Sequence, residues 1–200
     1  ASIEQAVIQL TDKQTGDALN VGSLPTGITA STSETAGAIT VTLSGSASVS
    51  SYETAIRAVS FENPGDDFDT TDRSIEITIN DGDSDSSTAT ATISLTAVND
   101  APTLDLDGDD SSGATGNDFQ TGFIEDGGPV VIVDSDFVLA DVDDAQLTGI
   151  SIVLTNRLDP QSKEALSAST SGTSLTATWD TGSSTLSITG TGSVADYATV

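Results

Sequence analysis

The chain has no cysteine, histidine or methionine, and only five Lys and Arg stand against 31 Asp and Glu. Each absence removes a class of chemistry. Without Cys or His there is no disulfide, no thiolate nucleophile, no Ser-His-Asp triad and no ordinary zinc site. Five scattered cations cannot displace the counterions of a nucleic acid or hold an anionic membrane surface, so neither is expected as a partner. Apolar runs such as 129–133 fall far below the roughly 20 residues a membrane helix needs, so membrane insertion is not expected. No charged-then-apolar leader opens the chain, and export is expected to use a leader already removed or a signal elsewhere. One Trp, two Tyr and five Phe leave little for the aromatic platforms a glycosidase needs, despite the abundance of carboxylates.

What is present is oxygen chemistry. Asp accounts for 24 of the 31 acids, and the formal net charge is −26. Carboxylates, hydroxyls and carbonyls suit hard cations, above all Ca²⁺, which accepts six to eight flexible oxygen ligands.

Apolar residues make up 36% of the chain and fall largely at every second position. Ile75, Ile77 and Ile79 alternate with polar residues, as do Ile39, Val41 and Leu43. The same period runs through Ala6, Ile8 and Leu10, through Ile150, Ile152 and Leu154, and through Leu175, Ala177 and Trp179. Leu186 and Ile188 continue it, and 88–98 reads as the longest strand. Thr, Ile and Val dominate these runs, and Asp-Gly and Asn-Pro-Gly clusters punctuate them. Two stretches depart from the rule: 50–56 and 193–200 carry apolar residues at three- and four-residue spacing, which predicts a single helical turn in each. The expected fold is all-β, an antiparallel sandwich.

An internal repeat organises the chain. Residues 45–52 (Gly-Ser-Ala-Ser-Val-Ser-Ser-Tyr) align with 190–197 (Gly-Thr-Gly-Ser-Val-Ala-Asp-Tyr) at an offset of 145. Residues 8–13 align with 152–157 at an offset of 144. Residues 1–98 are therefore expected to be the later part of one repeat and 99–200 the earlier part of the next, a window on a tandem array with a period near 145. A sandwich short of strands exposes edges, so residues 56–200, one period in permuted order, are expected to form the best-packed unit, with leftover strands satisfied by a neighbouring copy.

The acids bunch where strands are expected to end. Asn99 and Asp100 precede Pro102 in a predicted linker; then come 105–110, Glu125 with Asp126, Asp134 with Asp136, and 141–144. In an extended Asp-x-Asp segment both side chains project to one face about 7 Å apart, and a cation lying between them relieves their repulsion. Asn99, Asp100, Glu125, Asp126, Asp141 and Asp143 are the expected metal ligands, with Ca²⁺ favoured over Mg²⁺. Asp81, Asp83 and Asp85 fit a ligand set and ordinary turn chemistry equally well. Residues 105–110 resemble the start of an EF-hand loop, but Asp110 stands where the turn needs Gly and Gly116 where the loop needs Glu.

Three further features carry less. Trp179 is expected in a core rather than as a sugar platform, because it continues an alternating apolar face. Asp159-Pro160 reads as a loop turn rather than a self-cleavage site. An isopeptide link from Lys13 is not expected as a repeat-wide device, because its counterpart is Arg157.

The series Val98-Asn99-Asp100-Ala101-Pro102, then 123–130 with Glu125 and Asp126, then 140–144, resembles the cadherin-like tandem repeats of very large bacterial surface proteins. Residues 52–63, 69–73 and 79–82 are similar to the second half of such repeats. The resemblance implies a Greek-key sandwich, a secreted or cell-surface location and a non-enzymatic role in an adhesin, biofilm or matrix fibre. It also implies Ca²⁺ at the linker, with Asn99 and Asp100 as linker ligands, Glu125 from an opening strand, and Asp141 with Asp143 as an Asp-x-Asp pair. Ala97 stands where the fuller linker motif has Asp, and the glycine-rich nonapeptide of RTX proteins is absent from the chain. Neighbouring repeats or copies in head-to-tail contact are the expected partners. The alternatives are a self-assembling filament subunit and a module binding surface glycans or a receptor. Acidity as adaptation to high salt would spread Asp over strand faces rather than bunch it at their ends.

Overall fold

The computed structural model describes residues 2–158 and 163–200. Asp159-Pro160 lies outside the described residues. Every strand pairing is antiparallel, and helices are few, so the chain is all-β. It divides into two compact units, Ala1–Val98 and Asn99–Val200.

The first unit contains β1 (Ser2–Leu10), β2 (Ala18–Val21), β3 (Thr29–Glu34), β4 (Ile39–Ser48), α1 (Val49–Arg57), β5 (Val59–Glu62), β6 (Arg73–Asn80) and β7 (Ala89–Ile93). Five strands form one sheet in the order β3-β4-β1-β6-β7, and β2 pairs with β5 as a separate ribbon. The alternation in β1 and β4 buries Ala6, Ile8, Leu10, Ile39, Val41 and Leu43 on one face. Leu19 of the ribbon and Tyr52 and Ala55 of α1 close over that face. Ser48 caps α1 by accepting the Ser51 N–H, and with no Gly or Pro inside it the helix runs for nine residues rather than the single turn expected. The strand expected over 88–98 is likewise shorter: β7 ends at Ile93, and as an edge strand it is mostly exposed.

A buried ion pair ties the first unit together. Arg73 is fully buried and Asp17 is 5% exposed. Arg73 Nε donates to Asp17 Oδ2 at 2.6 Å, and Nη2 donates to the Asp69 carbonyl at 2.8 Å. Gln14 N–H and Asn63 Nδ2 donate to the same carboxylate at 2.8 and 2.9 Å. Burial pushes the Asp17 carboxyl up, but these donors, Arg73 first, outweigh it and hold the group below the ordinary carboxylate value.

The second unit contains β8 (Thr103–Asp105), β9 (Val138–Ala140), β10 (Gln146–Val153), β11 (Thr176–Asp180), β12 (Thr185–Ser193) and α2 (Val194–Ala198). Its main sheet has the order β10-β12-β11, and β8 pairs with β9 as a short ribbon. Its core is smaller: Leu175, Leu186, Ile188 and Tyr197 are buried, with Leu139 and Trp179 packed against them. Trp179 thus stands in the core, and its Nε1 is enclosed without an acceptor among the described residues. Among the described residues, ten of the twelve exposed large apolar ones belong to this unit, including Phe123, Val131 and Leu158. The better core lies in Ala1–Val98, not over 56–200, because β6 pairs with β1 and draws 73–93 into the first unit.

The two units share one piece of architecture. The order β11-β12-β10 repeats β3-β4-β1. A bulge in β4 opposite Ile3 and Gln5 recurs in β12 opposite Leu147 and Gly149. Within the bulges Gly45 and Gly190 have φ of +134° and +126°, values a side chain resists. A Cβ on Gly45 would also collide with the Gly27 carbonyl at 2.0 Å. Tyr52 OH donates to the Gly45 carbonyl at 2.8 Å, and Tyr197 OH to the Gly190 carbonyl at 2.5 Å. Ser193 caps α2 as Ser48 caps α1, with Asp196 adding a capping box. The residues that match in sequence therefore form the same bulge, helix cap and tyrosine bond twice.

Replacing Arg73 with Met leaves the Asp17 carboxylate buried without its charged partner and is expected to cost about 3–5 kcal/mol in urea unfolding of the first unit. The double variant Arg73→Met/Asp17→Leu is expected to recover most of that loss. Because the folded Asp17 carboxyl sits below its unfolded value, its contribution holds at neutral pH and is lost as pH falls through the acid range.

Candidate metal centre

Between Asn99 and Asp144 the sequence carries thirteen acids and no Lys or Arg. The three ion pairs among the described residues all lie in the first unit. The second unit must therefore distribute its carboxylates without cationic partners from this stretch.

The β8–β9 ribbon determines where they go. Asp105 pairs with Val138, Leu104 with Leu139 and Thr103 with Ala140. Leu139 packs on the core and anchors the ribbon there. This pairing brings the loop after β8 against the loop before β9, and the Asp134 N–H donates to the Leu106 carbonyl at 2.8 Å. Asp107 and Asp109 lie on the first loop and Asp136 on the second. One carboxylate oxygen from each of these three lies within 4.8 Å of the others, the one such group among the described residues.

Each position has a local cause. Asp107 is 1% exposed; its two oxygens accept the N–H groups of Ser111 at 3.1 Å and Ser112 at 2.9 Å. Asp109 accepts the Ser111 N–H at 3.0 Å. Each carboxylate oxygen has a second lone pair, so these bonds fix the orientation and leave acceptor capacity. Gly108 sits at the closest approach: a Cβ there would stand 2.9 Å from the Asp136 carbonyl oxygen and 3.6 Å from Asp136 Oδ2. Asp134 is steadied from the other side, accepting the Ser111 hydroxyl at 3.2 Å.

Electrostatics divide the three. The Ser112 hydroxyl and the Ser112 and Ser111 amides outweigh desolvation and hold the Asp107 carboxyl below the ordinary value. Desolvation pushes Asp136 the other way, reinforced by the charges of Asp109, Asp134 and Asp107. Both causes disfavour the ionised form of Asp136 relative to an ordinary carboxyl. Oxygen donors alone, from three acids, suit a hard cation such as Ca²⁺, Mg²⁺ or Mn²⁺ rather than a thiolate-bound metal.

The residues expected as ligands lie elsewhere in the same unit. Asp141 and Asp143 follow β9; Asp141 Oδ1 accepts the N–H groups of Asp143 at 3.1 Å and Asp144 at 3.0 Å, closing its own turn. Asp143 Oδ2 accepts the Asp100 N–H, and Asn99 Nδ2 donates to the Asp100 carbonyl at 2.6 Å. The structure thus brings Asp100 to Asp143. Glu125 and Asp126 are exposed, in a turn where Gly127 N–H donates to the Ile124 carbonyl, so Glu125 is not on the opening strand the resemblance implied. In the first unit Asp81 caps a turn, accepting from Asp83 and Ser84, which lowers its pKa; Lys13 pairs with exposed Glu34. The Asp107–Asp136 grouping was missed, although both of its Asp-x-Asp pairs are visible in the sequence; what joins them is a ladder of two three-residue strands.

No family model matches the chain, and neither curated proteins nor solved structures yield a match.

A raised folded pKa makes ionisation of Asp136 unfavourable to folding: its contribution is favourable at low pH and lost as pH rises through the folded value. Asp136→Asn is therefore expected to raise the melting temperature of the metal-free protein at pH 7. The gain should vanish near pH 3. The sole tryptophan, Trp179, reports the unfolding of this unit by fluorescence.

Proposed function

We propose that this chain is a non-enzymatic structural module of a secreted or cell-surface bacterial protein, consolidated by Ca²⁺ at Asp107, Asp109 and Asp136. The observation that carries the reading is the convergence of those three carboxylates across the β8–β9 ribbon. Calcium would supply the positive charge that the stretch around them lacks. It would hold the loop after β8 to the loop before β9 and convert their repulsion into a crosslink. Calcium suits the site better than magnesium because ligands on two loops offer a pliable cage rather than a strict octahedron.

The duplicated bulge, cap and tyrosine bond support a place in a tandem array, and a Greek-key sandwich for the whole repeat belongs to the same proposal. Stiffening of a fibre by cations is the mechanical role such an array performs in an adhesin or matrix. Neighbouring repeats or copies are its proposed partners. Asn99, Asp100, Asp141 and Asp143 remain a proposed second set at the linker, supported by the approach of Asp100 to Asp143. Glycan binding has no comparable support, since Trp179 is engaged in the core.

Saturating Ca²⁺ at a hundred times its dissociation constant stabilises a one-site protein by about 2.7 kcal/mol. Millimolar Ca²⁺ is accordingly expected to raise the Trp179-monitored melting temperature, and chelator to reverse the gain. Asp109→Asn and Gly108→Ala should each abolish most of the response, whereas Asp143→Asn, in the proposed second set, should remove only a minor part of it. Loss of the response in Asp143→Asn alone would move the site to the linker, and a melting curve indifferent to Ca²⁺ would remove the reading.

A further inference from the structure

The chain contains three Asp-Gly pairs, at 81–82, 107–108 and 126–127, and no Asn-Gly. Glycine presents its amide nitrogen to the preceding carboxyl with no Cβ in the way, so each pair can close a five-membered imide. The fold treats the three differently.

Asp81 Oδ1 accepts the N–H groups of Asp83 at 3.1 Å and Ser84 at 3.0 Å, and the Gly82 N–H donates to Asn80 Oδ1 at 2.7 Å. Carboxyl and nucleophile are both held. Asp107 is 1% exposed, and its two oxygens accept the Ser111 and Ser112 amides. Gly108 lies so close to the Asp136 carbonyl that a Cβ would stand 2.9 Å from it, which leaves little room for ring closure. Asp126 differs on every count. It is exposed, and among the described residues its carboxylate accepts no hydrogen bond. One bond closes its turn, from the Gly127 N–H to the Ile124 carbonyl at 3.0 Å. Asp126 stands at the third place of that turn with φ +64°, a left-handed conformation that an L side chain adopts at a cost in strain. The pair also lies between β8 and β9, where no strand ladder has to break for the backbone to turn.

We propose that Asp126 is a modification site, where the chain converts its own Asp-Gly bond into an isoaspartyl linkage while Asp81 and Asp107 are spared. The Gly127 nitrogen attacks Asp126 Cγ. The N–Cγ bond forms, the amide proton and the carboxyl hydroxyl leave as water, and a succinimide results. Water then adds back. Where it breaks the bond between nitrogen and the former main-chain carbonyl, the peptide runs on through Cβ and Cγ and that carbonyl becomes a free carboxylate. The water released equals the water consumed, and the net charge is unchanged. The product has one more main-chain carbon, which frees the backbone from its left-handed constraint and dissolves the geometry of the Ile124–Gly127 turn.

The test incubates the full chain at neutral pH in chelator and follows its chymotryptic peptides by electron-transfer mass spectrometry, whose backbone fragments separate isoaspartate from aspartate. Isoaspartate is expected at 126 about tenfold or more ahead of 81 and 107, where at least two hydrogen bonds must open before the carboxyl can turn. In urea that removes the fold, the three sites should converge. Asp126→Glu keeps the charge but needs a six-membered ring, and should give no isomer at 126. Asp126→Asn, which loses ammonia from a neutral amide through the same five-membered ring, should react faster than the parent. Comparable conversion at 81 or 107 in the folded chain would overturn the proposal. So would no conversion at 126, or a lead at 126 that persists in urea. The inference does not rest on the cation reading, and the chelator keeps the two apart.

Discussion

The repulsion between carboxylates in a chain with five cations is the constraint every part of this structure answers. The first unit answers it internally. Arg73, fully buried, gathers Asp17 and the Asp69 carbonyl, and the surrounding amides complete the carboxylate's shell. Losing either partner leaves a buried charge, so the pair specifies its arrangement even where its net contribution to stability is small. The second unit has no such residue between Asn99 and Asp144, yet its β8–β9 ribbon draws three carboxylates to within 4.8 Å. Gly108 permits the approach, and two serine amides hold Asp107 in place. A grouping of this kind, built without a cationic side chain, could hold a metal ion.

The same contrast runs through the packing. Both units form the three-stranded order with its glycine bulge, serine cap and tyrosine-to-carbonyl bond. In the first, the β2–β5 ribbon and β6 complete the burial of β1. In the second, the corresponding apolar residues remain half covered and two enclosed nitrogens, Trp179 Nε1 and Arg157 Nη1, have no acceptor among the described residues. Unsatisfied groups of this kind typically cost about 1–3 kcal/mol each. The second unit is therefore the less completely packed of the two.

Sequence periodicity revealed the strands that bury one face. β1, β4, β6, β10, β11 and β12 all appear where alternation placed them, because a half-buried strand must alternate. β3 was invisible: Thr29–Glu34 is exposed on both faces and lies on the sheet by backbone pairing alone. β2, β5, β8 and β9 have three or four residues, too few to show a period. The site failed to appear for the same reason. Its Asp-x-Asp pairs were plain, but only the β8–β9 register shows that Asp107 and Asp136 meet. Expected ligands Asp141 and Asp143 lie in one turn that Asp100 approaches through its N–H, and backbone amides already engage both of their carboxylates.

We propose that a divalent cation joins the two loops of the second unit. A crystal structure of the full chain grown in Ca²⁺, with anomalous scattering used to identify the ion, tests it most directly. Calcium is expected between Asp107, Asp109 and Asp136, at the 2.3–2.6 Å typical of its oxygen ligands. Calcium found only at Asp100 and Asp143, or water alone among the three carboxylates, would contradict it.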